Sequence, residues 1–461
     1  MTSLPAGWTT AALPELVELN PRSFESSLSD DDLLSFVPMA SVQEQTGRLD
    51  ATASRRWGAV KKGYTRFQEG DLLFAKITPC MENGKFALAK GLIGGRGAGS
   101  TEFHVIRPGP AIDARLLLHY LLREDVRRNA RAQMKGAAGQ LRVPPEYLRN
   151  LRVSLPPIRE QHRIVSAIEE RLSDLDAAVA ALRRVRAQLP RYQAAVLSAA
   201  CEGRLVRTEA ELTGRTTDAS QAVPVGLPTG WTWVTLRDLG ELRRGRSRHR
   251  PRDDPRLYGG AYPFVQTGDV KHSGGFVRSY SQTYNERGLA QSKLWPAGTL
   301  CITIAANIAD TGILTFEACF PDSVVGLVHR GDPATLRFVE LFLRTAKGNL
   351  ERFAPATAQR NINVRTLTSL PVPLPPLMEQ RRIVGEVDRR LSLADALQRA
   401  IDAALARAPR MRQAILKCAF EGTLAPQDPK DEPAGQLLAS IRASRAAAAK
   451  PLGRRARTLA S

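Results

Sequence analysis

A chain of 461 residues, 43 % of them hydrophobic, is too long for a single core and fits roughly two to four domains. A formal charge of +20 and a pI near 10.3 point to a polyanionic partner, nucleic acid first, although a generally basic surface in an Arg-rich chain is the competing reading. The five cysteines are scattered without zinc spacing, no stretch reaches the roughly 18 apolar residues of a membrane span, and MTSLPAGWTTAAL does not read as a signal peptide, so a cytoplasmic protein with no metal site, disulfide framework or membrane partner is expected.

From the N-terminus, the chain opens on LPAGW (Leu4 to Trp8), whose Trp8 reads as a core anchor. Three short apolar runs bounded by turn residues follow, FVPMASV at 36–42, GDLLFAKI at 70–77 and TEFHVIRP at 101–108, and each predicts a strand. Leu116, Leu117, Tyr120, Leu121 and Val126 recur at helical spacing within 112–134. At Leu155 the segment LPPIREQHRIV opens a long helix, because Leu-Pro-Pro excludes helix before it and presets the first turn. Ile168, Leu172, Leu175, Val179, Leu182, Val185 and Leu189 then fall in steps of 4, 3, 4, 3, 3 and 4, close to a heptad seam. Pro190 is expected to kink or interrupt that helix, with a second short helix behind it and a stop at Gly203.

A polar, Thr-rich stretch from Arg207 to Pro224 reads as a linker, after which the pattern starts again. LPTGW (Leu227 to Trp231) repeats the entry; 263–270, 298–305 and 323–329 repeat the three strands, and 336–353 repeats the helix. Leu374 to Leu424 aligns with Leu155 to Leu205 at a constant offset of 219, with 23 of 51 residues identical and no gap. Its seam, Val387, Leu391, Ala394, Leu397, Ile401, Leu405 and Ala408, keeps the phase with smaller residues, and Pro409 repeats Pro190. From Pro426 the chain is acidic and then Ala/Arg-rich, with a helix expected at 437–449 and a basic tail behind it.

The expected fold is α+β, with two mixed α/β domains separated by two long helical regions that form an antiparallel coiled coil in a pseudo-twofold internal repeat. The boundaries are 1–153 for the first variable domain, 154–205 for the first helical region, 206–226 for the linker, 227–372 for the second variable domain, 373–424 for the second helical region and 425–461 for a tail, partly helical or disordered. About 30 helical residues span roughly 45 Å, enough to hold two domains about one turn of duplex, roughly 34 Å, apart.

No chemistry-bearing motif survives inspection. Gly84-Lys85 lacks the rest of a phosphate loop, and Asn20-Pro21 is followed by Arg22 where an amino-methyltransferase signature needs a second proline and an aromatic. Basic loops are better represented. Arg243, Arg244, Arg246, Arg248, Arg250 and Arg252 form a run placed just ahead of the first strand of the second domain, and it reads either as a phosphate-contacting loop or as a solvated one. QMKGAAGQLRV at 133–143 and APATAQRNINV at 354–364 are a matched pair of small and polar residues, able to approach a groove closely or to form an ordinary turn. Their candidate DNA contacts are Lys135, Gln140, Arg142, Gln359, Arg360 and Asn361.

The paired LPPIREQHRIV and LPPLMEQRRIV segments, the LPxGW entries, GDLLFAKI with ENGK at 82–85, and PFVQTGDV followed by ITIAANIADTG resemble the DNA specificity subunit of a type I restriction–modification enzyme, over essentially the whole chain as far as Leu424. The resemblance implies two target recognition domains that each read one half of a bipartite DNA site. It also implies helical regions that space them and dock partners, with Ile168, Leu172, Leu175, Val179, Leu182, Val387, Leu391, Ile401 and Leu405 as coiled-coil and partner-binding positions. Double-stranded DNA, two methyltransferase subunits and motor–nuclease subunits are the implied partners. The chain would be non-catalytic, with S-adenosylmethionine, ATP and Mg²⁺ carried by those partners and no cofactor of its own. A stand-alone basic DNA-binding regulator and the recognition module of a type IIB-like enzyme are the alternatives.

Overall fold

The computed structural model describes residues 4–22, 28–137, 139–214, 227–305, 309–352 and 364–448. The chain divides into two compact units, Met1–Ala181 with Ala403–Ser461 and Leu182–Asp402. Two 44-residue helices, Ile158–Cys201 and Leu377–Phe420, each contribute one end to each unit. A unit therefore contains one variable domain, the start of the helix that follows it, and the far end of the other helix.

In the first unit the main sheet has the order Val17–Leu19, Phe103–Pro108, Leu72–Ala75, Phe86–Leu88, all antiparallel. The second unit repeats the order with Glu241–Arg244, Val324–Val328, Leu300–Thr303 and Thr311–Leu314, and adds Gly275–Val277 in parallel at the end. A smaller four-stranded sheet accompanies each: Ser54–Arg56, Leu33–Val37, Arg96–Gly99, Thr65–Gln68 in the first unit, and Gln282–Tyr284, Tyr258–Phe264, Ala318–Cys319, Leu294–Trp295 in the second. The central strands of the main sheets are buried on both faces, which is why 72–75 and 300–303 read as continuous apolar runs rather than alternating ones.

Local chemistry moved several expected boundaries. The strand expected at 36–42 runs Leu33–Val37, because Pro38 has no N–H for the ladder and the chain turns through Met39–Ser41. The strand expected at 263–270 ends at Phe264; beyond it Asp269 accepts from the Gln266 N–H at 2.8 Å and starts the short helix Thr267–Lys271. The helix expected within 112–134 is two, Ala114–Leu121 and Glu124–Ala132, broken at Arg123, whose ψ of 141° is extended. Arg123 leaves the helical path with its guanidinium 5.3 Å from both the Tyr120 and Phe420 ring centres.

Neither long helix is interrupted at its proline, so of the kink or interruption expected there the interruption, with a separate short helix behind it, does not occur. An interior proline costs about 3 kcal/mol through its missing N–H and ring clash. The turns beyond it recover more than that by burial. Val196, Leu197 and Ala200 join Ile383 and Val387 in the second unit, and Leu416, Ala419 and Phe420 join the core of the first. Part of the stretch read as a linker is helical as well: Glu209–Thr213 has a Thr208/Glu211 capping box and ends at Gly214 (φ 65°).

The repeated sequence motifs are one structural device. Thr9–Ala12 pairs with Arg152–Leu155, and Thr232–Thr235 with Pro371–Leu374, so a two-stranded ribbon brings each LPxGW entry beside its own LPPxxEQ segment. The entry tryptophan then donates to the motif glutamate, Trp8 Nε1 to Glu160 Oε1 at 3.0 Å and Trp231 Nε1 to Glu379 Oε1 at 2.8 Å. The adjacent glutamine ties down the variable domain's helix: Gln161 accepts from the Asp113 N–H at 2.8 Å, and Gln380 from the Thr335 hydroxyl at 2.7 Å. Buried polar groups must be paired, and in each copy the glutamate and the glutamine are paired within that copy. The segments after the helices close the units in parallel fashion. Arg382 pairs with Glu209 at 2.7 Å, and Arg163 with Asp431 at 2.6 Å just before the helix Ala434–Ala448.

Within each unit the two long helices are antiparallel. In the second, Arg186 pairs with Asp402 at 3.0 Å and Gln193 with Asp395 at 3.1 Å; in the first, Arg412 pairs with Asp176, and Leu172 packs into the core that holds Leu416 and Phe420.

His119, on the helix Ala114–Leu121, is buried with Nδ1 unpartnered among the described residues. Burial first, then Arg115 and Arg412, push its pKa down from 6.5 to about 4. A base whose pKa is depressed on folding leaves the unfolded chain to take the proton first, so stability is full above about pH 6.5 and falls as pH drops toward about 4. Urea denaturation at pH 4.5 and 7 is expected to show His119→Leu abolishing about 2–3 kcal/mol of this pH-dependent loss in the first unit. An unchanged slope in the variant would refute the assignment.

Candidate nucleic-acid interface

In the first unit the edge strand Val17–Leu19 ends at Asn20, a non-glycine residue with φ of 49°. Asparagine tolerates this left-handed region, and its side chain locks it. The Asn20 N–H donates to Val105 O at 2.7 Å, Oδ1 accepts from the Val105 N–H at 3.0 Å, and Nδ2 lies 3.4 Å from His104 Nδ1. His104 Nε2 sits 2.9 Å from Val143 O, so the ring proton is on Nε2 and Nδ1 is the acceptor. Burial pushes the His104 pKa down, and the ring is neutral.

Asn20 and His104 line a cleft of about 640 Å³ whose walls carry Arg22, Lys61, Lys62, Tyr64, Arg66 and Lys76. None of its lining residues is acidic. Lys61 is tied to Asp30 at 2.9 Å, whereas Arg22, Lys62 and Lys76 have no ion-pair partner among the described residues. The cleft is a concentration of positive charge over a polar floor.

Of the predicted residues, Lys135 and Arg142 pair beside this cleft. Lys135 and Arg142 exchange backbone hydrogen bonds of 2.9 and 2.8 Å, and the Val143 N–H donates to Lys76 O at 2.8 Å. Gly136 has φ of 134°, and a Cβ there would lie 2.8 Å from Gln140 O. Lys135 and Gln140 are exposed. Arg142 is engaged within the protein: it binds Glu102 through Nη2 at 2.8 Å and Nε at 3.0 Å, and donates to Gln140 O at 3.0 Å. That pairing holds the Glu102 carboxyl below the usual range.

In the second unit the arginine run is not wholly a loop ahead of the first strand, as the sequence suggested. Arg243 and Arg244 lie in the edge strand Glu241–Arg244, opposite Gly326 and Val325. An edge strand leaves one side to water, so exposed arginines are tolerated there and deter strand addition. Arg246 is half-buried and its Nε has no partner among the described residues, while Arg248 is exposed, its N–H donating to Gln291 Oε1 at 2.5 Å. Arg252 pairs with Asp322 at 2.6 Å. The loop borders a cleft of about 680 Å³ lined by Ser247, Arg252, Asp253, Tyr258, Gln266 and Gln282, among others.

The two clefts are topologically equivalent. Each opens where the main sheet's edge strand ends and where its neighbouring strand, Phe103–Pro108 or Val324–Val328, begins, and each takes its other wall from the smaller sheet. Gln359, Arg360 and Asn361 lie outside the described residues. Sequence reasoning missed Asn20, Arg22, Lys61, Lys62 and Lys76. The Lys61-Lys62-Gly-Tyr cluster was a visible signal, but nothing in the chain's order ties it to Asn20 or Lys76.

Some of the seam residues pack within the units: Leu172 joins the core of the first and Leu391 that of the second. Ile168 is buried in the core of the first unit, and Val387 in that of the second. Ile401 is buried, while Leu172, Leu175, Val179, Leu182, Leu391 and Leu405 are half-buried. Leu397, expected in the second seam, is instead 42 % exposed, and Ala394 takes the buried side. Among the described residues no group of three or more His, Cys, Asp or Glu is placed to hold a metal ion, and no helix is long and apolar enough to cross a membrane.

The family model for the type I restriction modification DNA specificity domain matches residues 5–191 and 228–406. The chain belongs to this family. The two matches fall one on each repeat, which accounts for the duplicated LPxGW and LPPxxEQ elements. The specificity subunit of type I restriction enzyme EcoEI from Escherichia coli is 40 % identical over 171 residues, covering 36 % of this chain and 28 % of that protein. The match therefore spans under a third of that relative's length. The EcoDI specificity subunit from Escherichia coli is 24 % identical over 465 residues and covers 96 % of both chains. The crystal structure of the HsdS subunit from Thermoanaerobacter tengcongensis has the same fold, with a TM-score of 0.66 at 21 % identity over 92 % of this chain and 98 % of that one.

Proposed function

We propose that the chain is the non-catalytic DNA specificity subunit of a type I restriction–modification complex, recognising a bipartite double-stranded site and directing adenine methylation and restriction by partner subunits. In this reading 1–153 and 227–372 are target recognition domains, 154–205 and 373–424 are the spacing and docking helices, 206–226 links the halves and 425–461 is a closing tail. Two methyltransferase subunits and motor–nuclease subunits are the protein partners in the cytoplasm, and S-adenosylmethionine, ATP and Mg²⁺ belong to them. The observation that carries the reading is the recurrence of one cleft per unit at the same end of the same strand order, each bordered by arginine or lysine. Two equivalent clefts with dissimilar linings suit two readers of different half-sites, since loops change while a scaffold stays fixed. The basic surface supplies phosphate contacts, and groove-facing side chains supply sequence.

Single-molecule sequencing of DNA methylated by the chain together with its methyltransferase partners is expected to give an asymmetric bipartite motif with a fixed spacer. A continuous palindromic motif would overturn the two-reader assignment. Inserting four residues, about one helical turn, between Ile168 and Leu189 is expected to change the spacer and leave both half-sites intact. Altered half-sites with an unchanged spacer would show that the helices do not set the distance.

A further inference from the structure

In the first unit's cleft Asn20 is exposed, and yet its amide is held in one orientation. The Val105 N–H needs an acceptor, so the Asn20 atom 3.0 Å from it is the carbonyl oxygen Oδ1. Nδ2 is thereby directed at His104 Nδ1, 3.4 Å away. His104 can accept there because its other nitrogen faces a carbonyl, Val143 O at 2.9 Å, and keeps the proton. Val143 is itself tied down, since its N–H donates to Lys76 O at 2.8 Å. The exposed amide is thus set by the strand Phe103–Pro108 and, through His104, by the chain at Val143.

The backbone does not call for this arrangement. At a φ of 49° glycine is the residue of least strain. In the second unit the same Glu-Leu of the edge strand, Glu241-Leu242 against Glu18-Leu19, is followed by Arg243, which stays in the ladder opposite Gly326. The duplication therefore kept the place at the strand end and changed its side chain, which suits positions that meet different half-sites. Around Asn20 stand Arg22, Lys62 and Lys76, without an ion-pair partner among the described residues, and their charge suits phosphate, which carries no sequence. Beside those cations a neutral amide adds little to backbone affinity. A fixed amide can tell one base edge from another.

We propose that Asn20 is a specificity-determining residue that meets a base edge in the half-site read by the first unit, and that His104 is the positioning residue that holds its amide. The inference rests on the DNA-recognition reading above and deepens it.

The test uses the full chain with its methyltransferase partners and duplexes altered one base pair at a time, with the methylated motif read by single-molecule sequencing. Asn20→Gly keeps the left-handed backbone unstrained and removes only the side chain. It is expected to relax one position of one half-site roughly tenfold, leaving the other half-site and the salt slope of binding unchanged. His104→Leu is expected to relax the same position. His104→Asn, whose short amide places an oxygen where Nδ1 stands, is expected to restore discrimination there. His104→Gln reaches Val143 O but not Asn20, and it is expected to leave the position relaxed. A role confined to holding the fold would not separate these two variants, and an unaltered second half-site shows that each is folded. A motif equally stringent in Asn20→Gly, or a loss shared by both half-sites, overturns the inference alone. His104→Asn and His104→Gln behaving alike overturns the positioning role. Failure of the unaltered complex to yield a bipartite motif overturns the reading beneath it.

Discussion

Arg337→Leu is expected to lower the stability of the second unit by about 3–5 kcal/mol, while the double variant Arg337→Leu/Glu340→Leu recovers most of that loss. Arg337 is 6 % exposed and Glu340 wholly buried; Nη1 donates to Glu340 Oε2 at 2.5 Å and Nη2 to Asp388 Oδ1 at 2.6 Å. The arginine thus joins the variable domain's helix Pro333–Arg352 to the helix Leu377–Phe420. Its guanidinium lies 4.5 Å over the Phe276 ring, and a Cβ on Gly275 (φ 103°) would sit 2.4 Å from Nη1, so the backbone there is shaped around it. The Thr311 hydroxyl adds a 3.0 Å bond to the carboxylate. Removing Arg337 leaves Glu340 buried with Arg344, 3.9 Å away, as its cation among the described residues. Burial already pushes the Glu340 pKa up against the pull of Arg337 and Arg344. A carboxyl whose pKa is raised on folding costs stability as pH rises above its unfolded value, so the deficit of the single variant is expected to be smaller at pH 5 than at pH 8. Urea denaturation of both variants at both pH values checks this. Equal losses in the single and double variants would mean that packing rather than the orphaned charge sets the cost.

The elements legible in the sequence were those whose cause is local. The runs at 70–77 and 298–305 contain the central strands Leu72–Ala75 and Leu300–Thr303, since a strand covered on both faces takes almost only apolar side chains. The 219-residue offset announced a repeat, yet why its residues recur was not readable. Glu160 and Gln161 lie 152 and 48 residues from the groups they bind, Trp8 and Asp113; the ribbon Thr9–Ala12 with Arg152–Leu155 brings Trp8 to Glu160, and the fold of the first domain brings the start of the helix Ala114–Leu121 to Gln161. Pro190 and Pro409 misled for the opposite reason. Local propensity argues for a break, and tertiary burial of the turn beyond each proline outweighs it. The arginine run is exposed apart from the half-buried Arg246, and it is not wholly loop, since an edge strand shows the same composition. The first unit's cleft was invisible because Asn20, Lys62 and Lys76 converge through strand order, not spacing.

Removing the three unpaired cations of that cleft together, Arg22→Ala, Lys62→Ala and Lys76→Ala, is expected to weaken duplex binding by roughly 10²-fold at moderate salt and to leave the methylated motif unchanged. Each phosphate contact releases condensed counterions and contributes about 0.9 to the slope of log K against log salt, so the triple variant is expected to lose about 2–3 from that slope. Lys61 is left in place because its pairing with Asp30 at 2.9 Å commits part of its charge. Arg142→Ala provides the contrast. Its guanidinium is spent on Glu102, so its removal loosens the stretch that carries Lys135 and Gln140 without deleting a free cation. The slope is expected to stay within about one unit of the unaltered protein, while discrimination in the first half-site declines. Binding measured by fluorescence anisotropy between about 50 and 200 mM salt separates the two outcomes. A triple variant with an unchanged slope would place the phosphate backbone elsewhere on the first unit. A triple variant that kept its affinity but changed its motif would make these residues readers of bases.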